Sequence, residues 1–173
     1  DLNLAYNNIG IDGIESIVEH LKKSSCTLKK LNLSYNFLGN EGSLILSECL
    51  RENKSLVSLN LTGNNILNEG AIYFAKNLTS EFNTTLKKIN FRDNSINSKG
   101  IIQFCTILKN EPFDRFSKID FSVNYLDDEG LSDYGYFISK FPDIKTIVLT
   151  NKLSKNSLKN FFIYCQNLSN LKS

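Results

Sequence analysis

A nine-residue leucine pattern recurs along the chain, and it constrains the fold more than any other feature. It runs from Leu28 to Asn36 as L-K-K-L-N-L-S-Y-N and returns at 56–64, 86–94 and 116–124, while its second half opens the chain. The asparagines that end the copies are 28 to 30 residues apart, and a glycine follows each one six residues later. A fixed period of this length predicts a solenoid, in which each unit packs mainly on its neighbours.

Each unit predicts a strand, a turn and a helix. Apolar and polar residues alternate around Leu31 and Leu33, which is typical of a strand with one buried face. In the second half of each unit, two apolar columns that begin at Ile17 and Leu21 lie four residues apart and predict a helix with an apolar stripe. The residues expected to be the helix N-caps are small and polar: Asn40, Asn68, Ser98 and Asp128.

The asparagine column predicts a side-chain ladder. Its members recur at one position of every unit: Asn7, Asn36, Asn64, Asn94 and Asn124. A carboxamide both donates and accepts, so it can satisfy backbone groups that are left free where each strand ends. Because strands stack about 4.8 Å apart and helices need about 8–10 Å, we expect the array to curve with its parallel sheet inside.

This pattern resembles the leucine-rich repeat L-x-x-L-x-L-x-x-N-x-L, and the long period with its trailing glycine is similar to the ribonuclease-inhibitor-like subfamily. The resemblance covers residues 1–143 as five repeats. It implies an α/β solenoid of horseshoe shape, with a parallel β-sheet on the concave face and α-helices on the convex face. Residues 144–173 are expected to form a degenerate sixth repeat that caps the array, in which Ile144, Ile147 and Leu149 keep the strand pattern.

The ends and composition of the chain narrow the possibilities further. The sequence has no methionine and begins within a strand pattern, so we expect upstream repeats or domains to be missing. A net charge of +2 gives no basic stripe for nucleic acid, and no apolar run is long enough for a membrane partner. One histidine and four cysteines without a C-x-x-C arrangement predict no metal site. The cysteines are interpreted as free thiols of an intracellular protein.

No segment of the sequence predicts catalysis. Walker, H-E-x-x-H and G-x-S-x-G patterns are absent, so we expect no catalytic residue, no cofactor and no enzyme activity. The concave face of a solenoid is instead its usual binding surface. The candidate partner-binding residues project from the predicted strands and the turns after them: Lys30, Asn32, Ser34, Tyr35, Asn60, Thr62, Lys88, Asn90, Arg92, Asp93, Lys118 and Asp120.

These residues favour a protein partner. Tyrosine and arginine are enriched at interfaces, and the neutral-to-basic face would suit an acidic segment of a protein. The alternative for each individual residue is a solvated side chain that binds nothing.

We therefore predict a non-catalytic protein–protein interaction scaffold or regulator, intracellular and either cytoplasmic or cytoskeletal. Two alternatives that the resemblance implies stay open. One is a structural subunit of a large cytoskeletal or ciliary (axonemal) complex. The other is a GTPase-activating protein resembling the Ran activator, for which no residue of this chain is assigned.

Overall fold

The computed structural model describes residues 1–112, 115–141 and 153–166. Strands and helices alternate through five units, and a further helix follows. The elements are β1 (Leu2–Asn3), α1 (Gly10–Leu21), β2 (Lys30–Asn32), α2 (Gly39–Glu52), β3 (Ser58–Asn60), α3 (Asn68–Asn77), β4 (Lys88–Asn90), α4 (Ser98–Leu108), β5 (Lys118–Asp120), α5 (Asp128–Ile138) and α6 (Lys155–Cys165).

The strands form one parallel sheet in the order β1-β2-β3-β4-β5. Its register joins equivalent positions of successive repeats, so that Leu31 lies beside Leu59 and Asn32 beside Asn60. One helix per unit packs on the same side of this sheet. Since helices are wider than strands, the sheet takes the inner side of the curve. The predicted α/β leucine-rich repeat solenoid is thereby confirmed.

The core lies between the sheet and the helices. Phe91 packs against rings from its own unit and from the units on either side, with centroid distances of 5.7 Å to Phe104, 5.4 Å to Phe74 and 5.2 Å to Phe121. The two helical columns predicted from the sequence are buried, apart from Ile17, which is half-buried. The core therefore continues from one repeat to the next.

The asparagine ladder is present as predicted. Asn94 is buried, and its Oδ1 accepts hydrogen bonds from the backbone N–H groups of Asn64 at 2.9 Å and Ile66 at 3.0 Å. Its Nδ2 donates to the carbonyl oxygens of Leu61, Phe91 and Arg92 at 2.8, 3.1 and 3.0 Å. The equivalent bonds join Asn36, Asn64 and Asn124 to the repeat before each of them.

Asn7 differs from the rest of the ladder. It is exposed, and its Nδ2 donates only to Leu4 and Ala5 of its own turn, at 2.9 and 3.1 Å. It therefore provides an internal control for the buried members of the column.

The predicted helix caps are wrong, by two positions in α2, whose N-cap is Leu38, and by one position in α3, α4 and α5. Helix α4 begins at Ser98 and is capped by the side chain of Asn97, while α5 begins at Asp128 and is capped by Asp127. The expected cap residues act across repeats instead. Asn40 Oδ1 accepts from the backbone N–H of Gly70 in α3 at 2.9 Å.

Asn68 and Ser98 act in the same way on the units that follow them. Asn68 Oδ1 accepts from the N–H of Asn97 at 2.9 Å, and Ser98 Oγ accepts from the N–H of Asp127 at 2.9 Å. Asp128, the remaining expected cap, accepts from the N–H of Ser154 at 2.9 Å. The column is polar because each member accepts a hydrogen bond from the backbone near the start of the next helix.

The turns that lead from helix to strand contain polar groups that sequence reasoning missed. Asn53 and Asn83 are buried, and each donates to a carbonyl near the end of the helix one repeat earlier, Leu21 in α1 at 2.7 Å and Leu50 in α2 at 2.7 Å. Arg115 is also buried; its guanidinium donates to the carbonyl oxygens of Leu78, Asn83 and Leu86. The carbonyls of Leu21, Leu50 and Leu78 lie at or near helix ends, where they lack a partner within the helix, and these side chains satisfy them.

Helix α6 continues the helical layer beyond α5. Its buried Phe161 lies against Gly135, where a Cβ atom would approach the ring to 2.8 Å. The strand expected at Ile144, Ile147 and Leu149 lies outside the described residues, so the capping sixth repeat stays a prediction. None of the helices in the described part of the chain is long and apolar enough to cross a bilayer.

Candidate functional site: the concave face

Three rows of side chains cross the strands on the side away from the helices, and we call this surface the concave face. Neighbours within a row come from adjacent strands, as Lys88 beside Lys118 and Asn60 beside Asn90 show. The first row contains Lys30, Ser58, Lys88 and Lys118, the second Asn3, Asn32, Asn60, Asn90 and Asp120, and the third Ala5, Ser34, Thr62, Arg92 and Ser122. The structure thus brings the predicted residues of these rows onto one surface.

The second row is tied to the third by short local hydrogen bonds. Asn60 Oδ1 accepts from the N–H of Thr62 at 3.1 Å and from its hydroxyl at 2.7 Å. Asn32 and Ser34 repeat this arrangement, with distances of 3.1 and 2.8 Å. Asn90 Oδ1 accepts from the N–H of Arg92 at 2.9 Å. These turns fix the direction of the side chains before any partner is present.

The expectation that Ser34, Thr62 and Asp120 point into solvent is wrong. They are only 5, 7 and 7% exposed, respectively. Two are hydroxyl residues that turn back onto an asparagine, and Asp120 turns its carboxylate toward the N–H and hydroxyl of Ser122 at 3.0 and 2.7 Å. Their main role in the free protein is to shape the turn, and a direct contact with a partner stays a prediction.

The cations of the concave face differ in how they are paired. Lys30 Nζ lies 2.9 Å from Asp1, and Lys118 Nζ lies 3.3 Å from the carboxylate of Asp120. Within the described residues, Lys88 and Arg92 take part in no ion pair. Arg92 donates from Nη1 to the hydroxyl of Ser122 at 3.2 Å. Strand β4 and the turn after it therefore carry two cations without an ion pair among the described residues, with Asp93 next to Arg92 in sequence.

A fourth row, in the turns that follow the strands, carries two stacked tyrosines. The rings of Tyr6 and Tyr35 lie 4.6 Å apart at an interplanar angle of 14°. Tyr35 covers Gly63, which has no side chain to block the ring. Burial raises the pKa of Tyr35, and the neighbouring Tyr6 and Asp93 raise it further.

This row has left-handed backbone in every unit, with φ values of 57° at Tyr6, 56° at Tyr35, 66° at Gly63, 57° at Asp93 and 56° at Val123. Tyr6 is 76% exposed and was not among the predicted site residues. Phe37, which is 71% exposed, was missed as well. The equivalent residues of the next two units are Asn65 and Ser95, so a large apolar residue at this position was a signal that the sequence offered. Exposed aromatic rings on fixed turns add to the surface that a partner could contact.

The groups that this surface presents are hydrogen-bond donors and aromatic rings. It offers ammonium, guanidinium and amide donors beside phenol rings. No group of three or more metal-ligating side chains occurs in residues 1–112, 115–141 and 153–166. The four cysteines are unpaired, and burial raises the pKa of Cys49 to about 11, whereas a hydrogen bond from Ser55 lowers the pKa of Cys26.

Comparison with known proteins identifies the repeat. The family model described as Leucine Rich repeat matches residues 1–18, 24–42, 52–75 and 82–105. Over 69 residues, or 40% of the chain, the sequence is 38% identical to the mouse NACHT, LRR and PYD domains-containing protein 14. The match spans 7% of that relative's length.

Solved structures share the fold at low sequence identity. One described as leiomodin-1 actin-binding site 2 superposes with a TM-score of 0.74 at 14% identity, covering 90% of this chain and 88% of the other. The tropomodulin C-terminal domain of Caenorhabditis elegans gives a TM-score of 0.69 at 13% identity over 90 and 92% of the two chains. A yeast complex of Rad7 and Elc1 gives 0.61 at 20% identity over 93 and 35%. With its repeats, its sheet and its asparagine ladder, the chain belongs to the leucine-rich repeat family.

Proposed function

We propose that this chain is a non-catalytic protein-interaction module that holds a partner protein on its concave face. The observation that carries the proposal is the pair of cations Lys88 and Arg92, which form no ion pair among the described residues, on a surface that also carries the Tyr6–Tyr35 stack. Interfaces favour arginine and tyrosine, and solenoids commonly bind along their concave sheet. The basic character of the face favours an acidic segment of the partner.

Affinity capture from a eukaryotic cell lysate tests this proposal. The immobilised chain is compared with the triple variant Tyr35→Ala, Lys88→Glu and Arg92→Glu. A matched control carries Tyr73→Ala, Lys76→Glu and Lys99→Glu, which make the same changes on helices α3 and α4. Circular dichroism spectra should show that all three proteins are folded.

The proposal predicts a protein that the original chain and the control retain and that the concave variant loses. If the concave variant retains every protein that the original captures, the concave face is not the binding surface.

A cytoskeletal role is a second candidate, supported by the comparison structures. Leiomodin-1 actin-binding site 2 and the tropomodulin C-terminal domain share the fold over 90% of this chain. Co-sedimentation with filamentous actin is the direct test, and a chain that stays in the supernatant at all protein ratios contradicts an actin-binding role. An intracellular location, cytoplasmic or cytoskeletal, belongs to this proposal.

The yeast comparison structure is a complex of two proteins, which favours a partner protein and membership of a larger assembly. A ciliary assembly and GTPase activation both remain predictions. A GTP-hydrolysis assay with candidate small GTPases would test the second, with stimulated turnover as the result that supports it.

A further inference from the structure

Two of the three lysines in the first row of the concave face form ion pairs, and Lys88 forms none among the described residues. The partners of Lys30 and Lys118 are Asp1 and Asp120, at 2.9 and 3.3 Å. Lys88 lies directly beside Lys118 in the register of the sheet and beside Ser58 on its other side. Like charges on adjacent strands disfavour each other, and Lys118 is already paired with Asp120, so the described fold supplies Lys88 with no partner anion.

Three donors lie in line on this strand. Lys88, Asn90 and Arg92 alternate along β4 and the two residues that follow it, so their side chains project to the same side. A strand rises about 3.3 Å per residue, which separates the first and last of them by about 13 Å. Asn90 Oδ1 accepts a hydrogen bond from the N–H of Arg92. Among the described residues, no hydrogen bond is made by the Nδ2 group of Asn90. We call these three residues the β4 donor stripe.

We propose that the β4 donor stripe binds the carboxylates of an extended acidic segment of the partner, an inference that rests on the proposed function. In an extended segment, side chains four residues apart are also about 13 Å apart and project to the same side. Two acidic residues at i and i+4 would therefore lie opposite Lys88 and Arg92. Charge-assisted hydrogen bonds from an ammonium and a guanidinium are stronger than neutral ones, and the guanidinium can hold a carboxylate with two bonds.

Carboxylates fit this surface better than a phosphate backbone does. Nucleic acid needs a continuous basic stripe, whereas here the acidic Asp93 follows Arg92 directly and Asp1 lies beside Lys30. A protein segment can place its negative charges only where the cations are. Lys88 and Arg92 are then the residues that determine which segment is bound.

Selection from a displayed library of random peptides, each about twelve residues long, tests this inference with defined probes. The original chain should enrich peptides with Asp or Glu at i and i+4. Their affinity should fall about tenfold or more for the variant Lys88→Gln with Arg92→Gln. The control Lys76→Gln with Lys99→Gln removes the same charge from helices α3 and α4 and should bind as the original does.

Thermal unfolding separates binding from a structural role. Lys88→Gln removes a like-charge neighbour of Lys118, so its midpoint should equal or exceed that of the original chain while its peptide affinity falls. A lower midpoint together with a proportionate loss of binding would overturn the assignment of Lys88 to the partner.

The outcomes also distinguish the two proposals. Enriched peptides that lack acidic residues but lose binding on Tyr35→Ala overturn the donor stripe and keep the concave face. Peptides that bind all concave variants equally overturn both. A library that yields no enriched peptide overturns the β4 donor stripe as a site for a linear segment. The inference is also overturned if a short DNA oligonucleotide displaces the bound acidic peptides at a lower concentration than the free peptides need.

Discussion

Removing one member of the asparagine ladder should destabilise the protein far more than its size suggests. Asn94→Ala deletes five hydrogen bonds inside the core, two accepted by Oδ1 and three donated by Nδ2. The losses are unequal. The carbonyls of Leu61 and Phe91 keep a bond from Asn64 and Asn124, respectively, but the N–H groups of Asn64 and Ile66 lose their acceptor.

The magnitude follows from those two N–H groups. Both belong to fully buried residues, and each buried donor without a partner costs about 1–3 kcal/mol. We therefore expect the free energy of unfolding to fall by about 2–6 kcal/mol. The matched control is Asn7→Ala, where only two bonds within an exposed turn are lost, so a change below about 1 kcal/mol is expected.

Urea unfolding followed by far-ultraviolet circular dichroism measures both variants. The slope of the transition should be checked, because repeat proteins can unfold in more than one step. Equal losses for Asn94→Ala and Asn7→Ala would refute the ladder as a source of stability. So would a loss below about 1 kcal/mol at Asn94 with an unchanged slope.

Three further predictions concern the turns. Gly63→Ala should destabilise the chain by about 1–2 kcal/mol and displace Tyr35, because φ at Gly63 is 66° and a Cβ atom would meet the ring. The near-ultraviolet circular dichroism of the Tyr6–Tyr35 stack should then be lost. An unchanged spectrum would contradict this prediction. Arg115→Met should cost about 3 kcal/mol in urea unfolding because it leaves buried carbonyls without donors, whereas the exposed Arg51→Met should cost under about 1 kcal/mol. The pKa of Asp127 is lowered by hydrogen bonds from the Gly130 N–H and the Ser98 hydroxyl, so the carboxylate stabilises the fold above about pH 4 and this contribution is lost as pH falls through the lowered pKa. Asp127→Asn should therefore reduce the difference in the free energy of unfolding between neutral pH and about pH 3. An undiminished difference would contradict the role of Asp127 as a helix cap.

The repeat made the fold predictable because one pattern is imposed many times. The strand, the ladder asparagine and the apolar helix positions recur in five units and predict the same structure each time. A wrong assignment in one unit is therefore corrected by comparison with the others. Core leucines such as Leu31 and Leu59 can be assigned because only one face of each strand is buried. The ladder followed from backbone groups that must be satisfied.

What the sequence left hidden depends on contacts between units. The polar column of Asn40 and Asn68 looked like helix caps, but its members bond to the next repeat, which a single unit does not reveal. Ser34 and Thr62 occupy outward positions of a strand pattern, yet a local turn folds their hydroxyls onto asparagines. Arg115 stands where the other repeats have Thr27, Ser55 and Thr85, so the column did not point to a buried guanidinium.

The central claim is that a partner protein lies on the concave face. A photoreactive amino acid placed at Ser58, in the middle of the first row, should cross-link that partner in a cell lysate, because this half-buried side chain lies between Lys30 and Lys88. The same group placed at Lys76 on the exposed side of α3 is the control. We predict a discrete cross-linked protein for Ser58 and none for Lys76. Cross-linking from Lys76 alone would contradict the account and assign binding to the helices.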